Sequence, residues 1–346
     1  MQGERKEVQP EYLYRQMVRA RRFEEALASL WRRGLISGEL HLGTGEEAIA
    51  AGFAAHLEDG DAIALDHRST PPLVCRGLPL EPIILELIGS EKGLCSGWGG
   101  HMHLFSRDFL AASSGIVGSS APLALGFALA NKHLRQGKVA VCFFGEGAMN
   151  QGMVLESLNL ARVWKLPVIF VCKDNRWAIT TRSKNVTAGC LTKRARAYDM
   201  PAWKVNGLRV DDVCKTAKRA IERAREGRGP SFVLARCSRI DGHFLGDPLF
   251  RIFEEPLEQV KTITPPLIRS AIAKPGAPSG ARARALFCIS KAIALAGADK
   301  LKNFKDPLFI SKNLILEEKR LEIEREVFEE IEKAVRTSLE VAGLKR

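Results

Sequence analysis

The sequence is poor in aromatic residues: three tyrosines, five tryptophans and an aromatic share of 7%. Its eight cysteines include no Cys-x-x-Cys pair, so a structural zinc site lacks its usual ligand spacing. Most of them sit in apolar runs and read as buried thiols of a reducing compartment. No stretch approaches the roughly 20 uninterrupted apolar residues of a spanning helix, so no membrane association is expected. The opening segment, MQGERKEVQP, has no apolar signal-peptide core, and the expected location is cytoplasmic. No internal repeat is visible.

What is present describes an ordinary globular chain. Apolar residues make up 46% and charged residues 27% of 346 positions, which excludes a disordered chain, a disulfide miniprotein and a collagen-like fibre. The length allows about two domains. Lys and Arg total 52 against 40 Asp and Glu, a formal charge of +12. These cations are scattered, from Arg19–Arg22 through Lys193–Arg196 to Arg282–Arg284, with few aromatics between them. The pattern points to a solvated surface or an acidic protein partner, and no nucleic acid is expected.

Apolar spacing predicts helices over 11–33 and 46–57, a short strand at Ala62–Leu65, a loop-rich stretch over 66–118 and a small-residue helix at Ala121–His133. The centre is clearest. Val139–Phe144 and Val168–Cys172 are wholly apolar runs of strand length, joined by a helix over 153–164 that Pro167 ends. Two such strands with one helix describe a βαβ unit in a parallel sheet covered on both faces. A strand at Val205–Val210, a helix over 211–226 and a strand at Ser231–Ala235 continue the alternation. The fold class is therefore α/β, a doubly wound and mostly parallel sheet. The expected division is an N-terminal helical arm (1–40), an α/β domain (41–250), a Pro/Ala/Arg-rich linker or insertion (251–305) and a C-terminal helix (306–346). That helix, over 316–341, carries Ile323, Val327, Ile331 and Val335 at spacing four.

The segments FGEGAMNQG and KDNRWAIT follow the two central strands. Glu146 and Asn175 would stand at the carboxyl ends of neighbouring strands, the edge where open parallel sheets bind ligands. Amides after Gly145 open onto a helix start that favours phosphate. A carboxylate with an amide oxygen is a hard donor set that suits Mg²⁺ bridging two phosphates. A dinucleotide fingerprint would need Gly-x-Gly-x-x-Gly, and Gly152 falls at the wrong spacing.

Seven motifs in order carry a resemblance: HLGTGEEA (41–48), HRSTPPLVCRG (67–77), GWGGHMHLF (97–105), GIVGSSAPLALG (115–126), FGEGAMNQG, KDNRWAIT (173–180) and DGHFLGDP (241–248). With them the chain resembles the alpha subunits of thiamine-diphosphate-dependent 2-oxo acid dehydrogenase E1 components, a family that includes pyruvate, branched-chain and acetoin enzymes. The resemblance implies the thiamine-diphosphate-binding fold, with Mg²⁺ held by Glu146, Asn175 and the backbone oxygen of Trp177. It implies cofactor contacts from His67, Arg68, Gly115, Val117, Gly145, Gly147, Ala148, Asn175 and His243, with His243 also a catalytic candidate. It further implies decarboxylation of a 2-oxo acid or cleavage of acetoin, and acyl transfer to the lipoyl group of an E2 acyltransferase. A separate E1 beta subunit would complete the site in an α₂β₂ heterotetramer. Asp241 stands where pyruvate-type relatives carry a histidine and Thr70 where many relatives do; with the unmatched stretch 249–305 these motivate an alternative: a noncatalytic E1-alpha-like paralogue acting as scaffold or regulator. His41 matches a family position near the site entrance, and His101 and His103 read as satisfied loop histidines.

Overall fold

The computed structural model describes residues 8–246, 265–266, 269, 278, 280–288, 291 and 305–344. The described elements, in chain order, are α1 (Pro10–Arg32), α2 (Glu47–Ala54), β1 (Ala62–Leu65), α3 (Thr70–Arg76), α4 (Leu80–Leu87), β2 (Phe105–Ser106), β3 (Ala111–Ser113), α5 (Ser120–Leu134), β4 (Ala140–Gly145), α6 (Gly152–Val163), β5 (Val168–Asp174), β6 (Trp177–Ala178), β7 (Thr181–Arg182), α7 (Leu191–Arg196), β8 (Ala202–Asn206), α8 (Val210–Arg225), β9 (Ser231–Arg236), α9 (Pro307–Ser311) and α10 (Glu317–Val341). Seven strands form one sheet in the order β2-β3-β1-β4-β5-β9-β8, parallel except for β2, and β6 and β7 pair as a separate hairpin.

The apolar runs explain the layering. Along β4, Val141 and Phe143 enter one core while Cys142 and Phe144 enter the other. In β5, Ile169 and Val171 face the first core, and Phe170 and Cys172 the second. Side chains alternate across a strand, so a run buried on both faces must be apolar at every position. One face is covered by α1, α2, α4, α8 and α10. On the other, α5 buries Ala121, Ala124 and Ala128, which lets its backbone approach β1 and β4 closely. Removing any one of these large buried side chains, such as Phe143, would cost about 3–5 kcal/mol.

Helix α10 packs on α1 and α4. It buries Ile323, Val327, Ile331 and Ala334, while Val335 is only half-buried at the margin. Polar ties reinforce the seam. Tyr14 donates to Glu324 at 2.8 Å, and Arg19 makes a two-pronged contact with Glu330 at 2.6 and 3.0 Å.

Two expectations need correction. The stretch 66–118 is less irregular than its composition indicates, since it contains α3, α4, β2 and β3. Pro71 and Pro72 begin α3 instead of breaking it, because the first turn of a helix needs no amide donor from them. The strand expected at 205–210 is β8, at Ala202–Asn206, and Val210 already opens α8. Gly207 makes the break: a Cβ there would lie 2.6 Å from the Arg236 carbonyl oxygen. Most of the proposed linker over 251–305 lies outside the described residues, which here comprise 265–266, 269, 278, 280–288, 291 and 305. Among the described residues no helix is long and apolar enough to cross a membrane.

Candidate functional site

The carboxyl edge of the sheet carries two chemically different groups of side chains. The first follows β4 and β5, whose ends are in register as Gly145 opposite Lys173. Glu146 is the first residue past β4, in a short 3-10 turn over Glu146–Asn150 that leads into α6. Its side chain is buried, and burial pushes its carboxyl up to about 7. The Ser183 hydroxyl donates to Glu146 Oε1 at 2.6 Å, and the Asn175 backbone amide donates to the same carboxylate. Asn175 is the first residue past β5. Its side-chain oxygen accepts from the Trp177 amide at 2.9 Å, a tight turn that leads into the β6–β7 hairpin. Arg176 and Ile179 have φ of 70° and 52°. Left-handed backbone is uncommon outside glycine and clusters where function constrains the chain. A cavity of about 480 Å³ opens beside this group, lined among others by Glu146, Asp174, Arg182, Ser183, Cys190 and Arg236.

The second group follows β1 and β9. His41, His67 and His243 each bring a ring nitrogen within 4.8 Å of the others. His41 also meets His101, Nδ1 to Nε2 at 2.9 Å. Burial is the first cause that lowers His41 to about 2, His67 to about 3 and His101 to about 4, so these three rings are neutral at neutral pH. Arg68 is buried; it donates to the carbonyls of Leu42 and, at 2.6 Å, His243, and lies 3.3 Å from His243 Nδ1. Three imidazoles can hold a transition ion. Here the fixed charge of Arg68 opposes a second cation and favours an anion. Arg68 has no ion pair among the described residues, and the buried His67 Nε2 has no partner.

The remaining candidates lie on the same edge. Gly145 ends β4, and Gly147 and Ala148 lie in the turn after it. A Cβ at Gly147 would press on the Ala178 Cβ at 3.0 Å. Gly115 and Val117 lie between β3 and α5; a Cβ at Gly115 would meet Met102 Sδ at 2.9 Å, and Val117 is half exposed. Sequence reasoning brought Glu146 and Asn175 together, and His67, Arg68 and His243 together. It missed the hub role of His41, the Ser183 cap and a fully buried Lys173. Lysine within an otherwise apolar strand was the available signal for the last. Thr70 and Asp241 are both engaged: Thr70 donates to Glu24, whose carboxylate also accepts the Gly43 amide at 2.8 Å, and Asp241 accepts from Thr44. Both departures thus brace the loop over 43–45 beside the site.

Comparison with known proteins matches residues 15–271 to the family described as dehydrogenase E1 component. The alpha subunit of acetoin:2,6-dichlorophenolindophenol oxidoreductase from Bacillus subtilis is 42% identical over 238 residues, covering 68% of this chain and 72% of that protein. Its counterpart from Cupriavidus necator is also 42% identical over 238 residues, with coverages of 68% and 71%. The pyruvate dehydrogenase E1 component subunit alpha of Rhizobium meliloti is 35% identical over 260 residues, with coverages of 72% and 75%.

Proposed function

The chain belongs to the dehydrogenase E1 component family, and on that premise we propose that it is the alpha-type subunit of a thiamine-diphosphate-dependent oxidoreductase acting on a small 2-oxo acid or on acetoin. The observation that carries the reading is the split edge: oxygen donors after β4 and β5, a guanidinium with neutral acceptors after β1. An Mg²⁺–diphosphate pair needs both.

The side chains fit such a group. Glu146, Asn175 and the Trp177 carbonyl would hold Mg²⁺, a donor set of hard oxygens. Arg68 would pair with the diphosphate, and the unpartnered His67 Nε2 would gain an acceptor or donor there. The backbone of Gly145, Gly147 and Ala148 would approach the phosphates, and at Gly147 a side chain would be crowded by Ala178. Gly115 and Val117 would border the cofactor's pyrimidine ring. The bound cofactor supplies the carbon nucleophile that makes bond cleavage beside a carbonyl feasible. This chain's own residues bind, orient and exclude water, and His243, touching Arg68, is the candidate to exchange a proton with substrate.

A beta-type subunit would complete the site in an α₂β₂ assembly, and a lipoyl acyltransferase E2 would take the acyl product. Relatives named for acetoin and for pyruvate lie close together in similarity, so substrate is decided by kinetics. Coexpressed with its beta partner, and given Mg²⁺ and thiamine diphosphate, the chain should reduce a dye acceptor with pyruvate, a branched-chain 2-oxo acid or acetoin. No turnover on any of them, with no cofactor binding by calorimetry, rejects the proposal.

A further inference from the structure

Lys173 is the most unusual residue of the core. It is the penultimate residue of β5, 2% exposed, in a strand whose five preceding residues are fully buried and apolar. Its ammonium donates to Glu46 Oε2 at 2.6 Å and to Asp66 Oδ1 at 2.9 Å. Glu46 precedes the first turn of α2, and Asp66 is the first residue past β1. The same Asp66 oxygen accepts the Arg68 backbone amide at 3.1 Å. One amine therefore ties α2, the β1 turn that carries His67 and Arg68, and β5 two residues before Asn175.

The charges close locally. Lys173 and Arg68 give two cations, Glu46 and Asp66 two anions. Arg68 acts electrostatically on Glu46, so without Lys173 it is a cation left to that carboxylate. Burial works to raise Asp66, but Lys173 beside it prevails and holds its carboxyl below the usual range. With both carboxylates taken by Lys173, the Arg68 side chain meets, among the described residues, only carbonyls and an imidazole. A guanidinium already bound to carboxylate offers little to a second anion; one held by neutral acceptors keeps its charge.

We propose that Lys173 is a positioning residue of the anion site: by engaging Glu46 and Asp66 it sets the turn over 66–68 and leaves the Arg68 charge for an incoming diphosphate. This rests on Arg68 as the diphosphate contact proposed above. Lys173 touches no substrate; it acts through Arg68.

The test uses the chain assembled with its beta partner. Dissociation constants are measured by calorimetry for thiamine diphosphate with Mg²⁺ and for thiamine itself, and folding is followed by thermal melting. Lys173→Met should weaken thiamine diphosphate roughly ten- to hundredfold, the loss of one charge-assisted contact, and leave thiamine binding unchanged. Lys173→Arg should bind like the wild type. The triple variant Glu46→Gln, Asp66→Asn, Lys173→Met has no carboxylate to capture Arg68 and should recover the affinity. A merely structural lysine predicts the opposite, with the triple variant as impaired as the single one or worse, and that result overturns the inference. So does Lys173→Met binding thiamine diphosphate like the wild type. If Lys173→Met does not assemble, the triple variant decides on the same terms, recovered affinity supporting the inference and lost affinity overturning it. A wild-type complex that binds no thiamine diphosphate overturns the reading of the site, and the inference falls with it.

Discussion

The edge past β4 and β5 and the edge past β1 and β9 solve opposite electrostatic problems a few residues apart. The first buries Glu146, an acid with no cation in direct hydrogen bond to it, and its carboxyl rises to about 7. The second buries Arg68 beside a cluster of imidazoles, and burial drives His41, His67 and His101 far below their usual titration range. Each half lacks the counter-charge that its own proposed ligand would bring. A divalent cation bound to phosphate, as proposed, would satisfy both.

That contrast can be broken from either side. Glu146→Gln keeps the shape and removes the negative charge, so Mg²⁺-dependent binding of thiamine diphosphate should fall by at least about 100-fold, read by calorimetry with and without metal. Arg68→Met strikes the other half and should cost about 1.5–3 kcal/mol of diphosphate affinity, while Mn²⁺ binding measured by spin-label-free electron paramagnetic resonance stays near wild type. Equal loss of metal and diphosphate binding in both variants would erase the distinction.

Titration sharpens it further. The folded values of His41, His67 and His101 lie below the unfolded 6.5, so the unfolded chain binds more protons as pH falls and their contribution to stability is lost below about 6.5. Glu146 has the reverse sign: its folded value is raised from 4.5 to about 7, so its contribution is lost as pH rises across that window. Melting curves from pH 5 to 8 should therefore show Glu146→Gln gaining most at the alkaline end and His41→Asn flattening the acid limb. Mn²⁺ affinity should climb up to about tenfold per pH unit below 7 and level off above it. The smallest effect is expected from Ser183→Ala. It removes the hydroxyl that occupies the Glu146 oxygen, so at pH 8 metal should bind a few-fold tighter, on the order of 1 kcal/mol; weaker binding would make Ser183 a ligand instead of a cap.

Much of this was legible in the chain itself. The apolar runs of β4 and β5 announced a parallel sheet buried on both faces, and the same runs put Glu146 and Asn175 at neighbouring strand ends. Alternation and strand order are local properties, set by backbone geometry and by which residues tolerate burial. The helices α3 and α4 were hidden because Thr-Pro-Pro and the glycines around them read as loop. His41 was ambiguous for another reason. Its three imidazole partners come from positions 67, 101 and 243, and no spacing rule joins them.

Sequence alone determined the α/β class, the family and the placement of Glu146 and Asn175 past neighbouring strands, because these follow from short-range patterns along the chain. Only the folded chain decided that Lys173 takes two carboxylates, that Arg68 meets carbonyls and an imidazole, and that Thr70 and Asp241 brace one loop. Those outcomes depend on which distant groups share a water-poor space, where the strength of every charge is set by its neighbours.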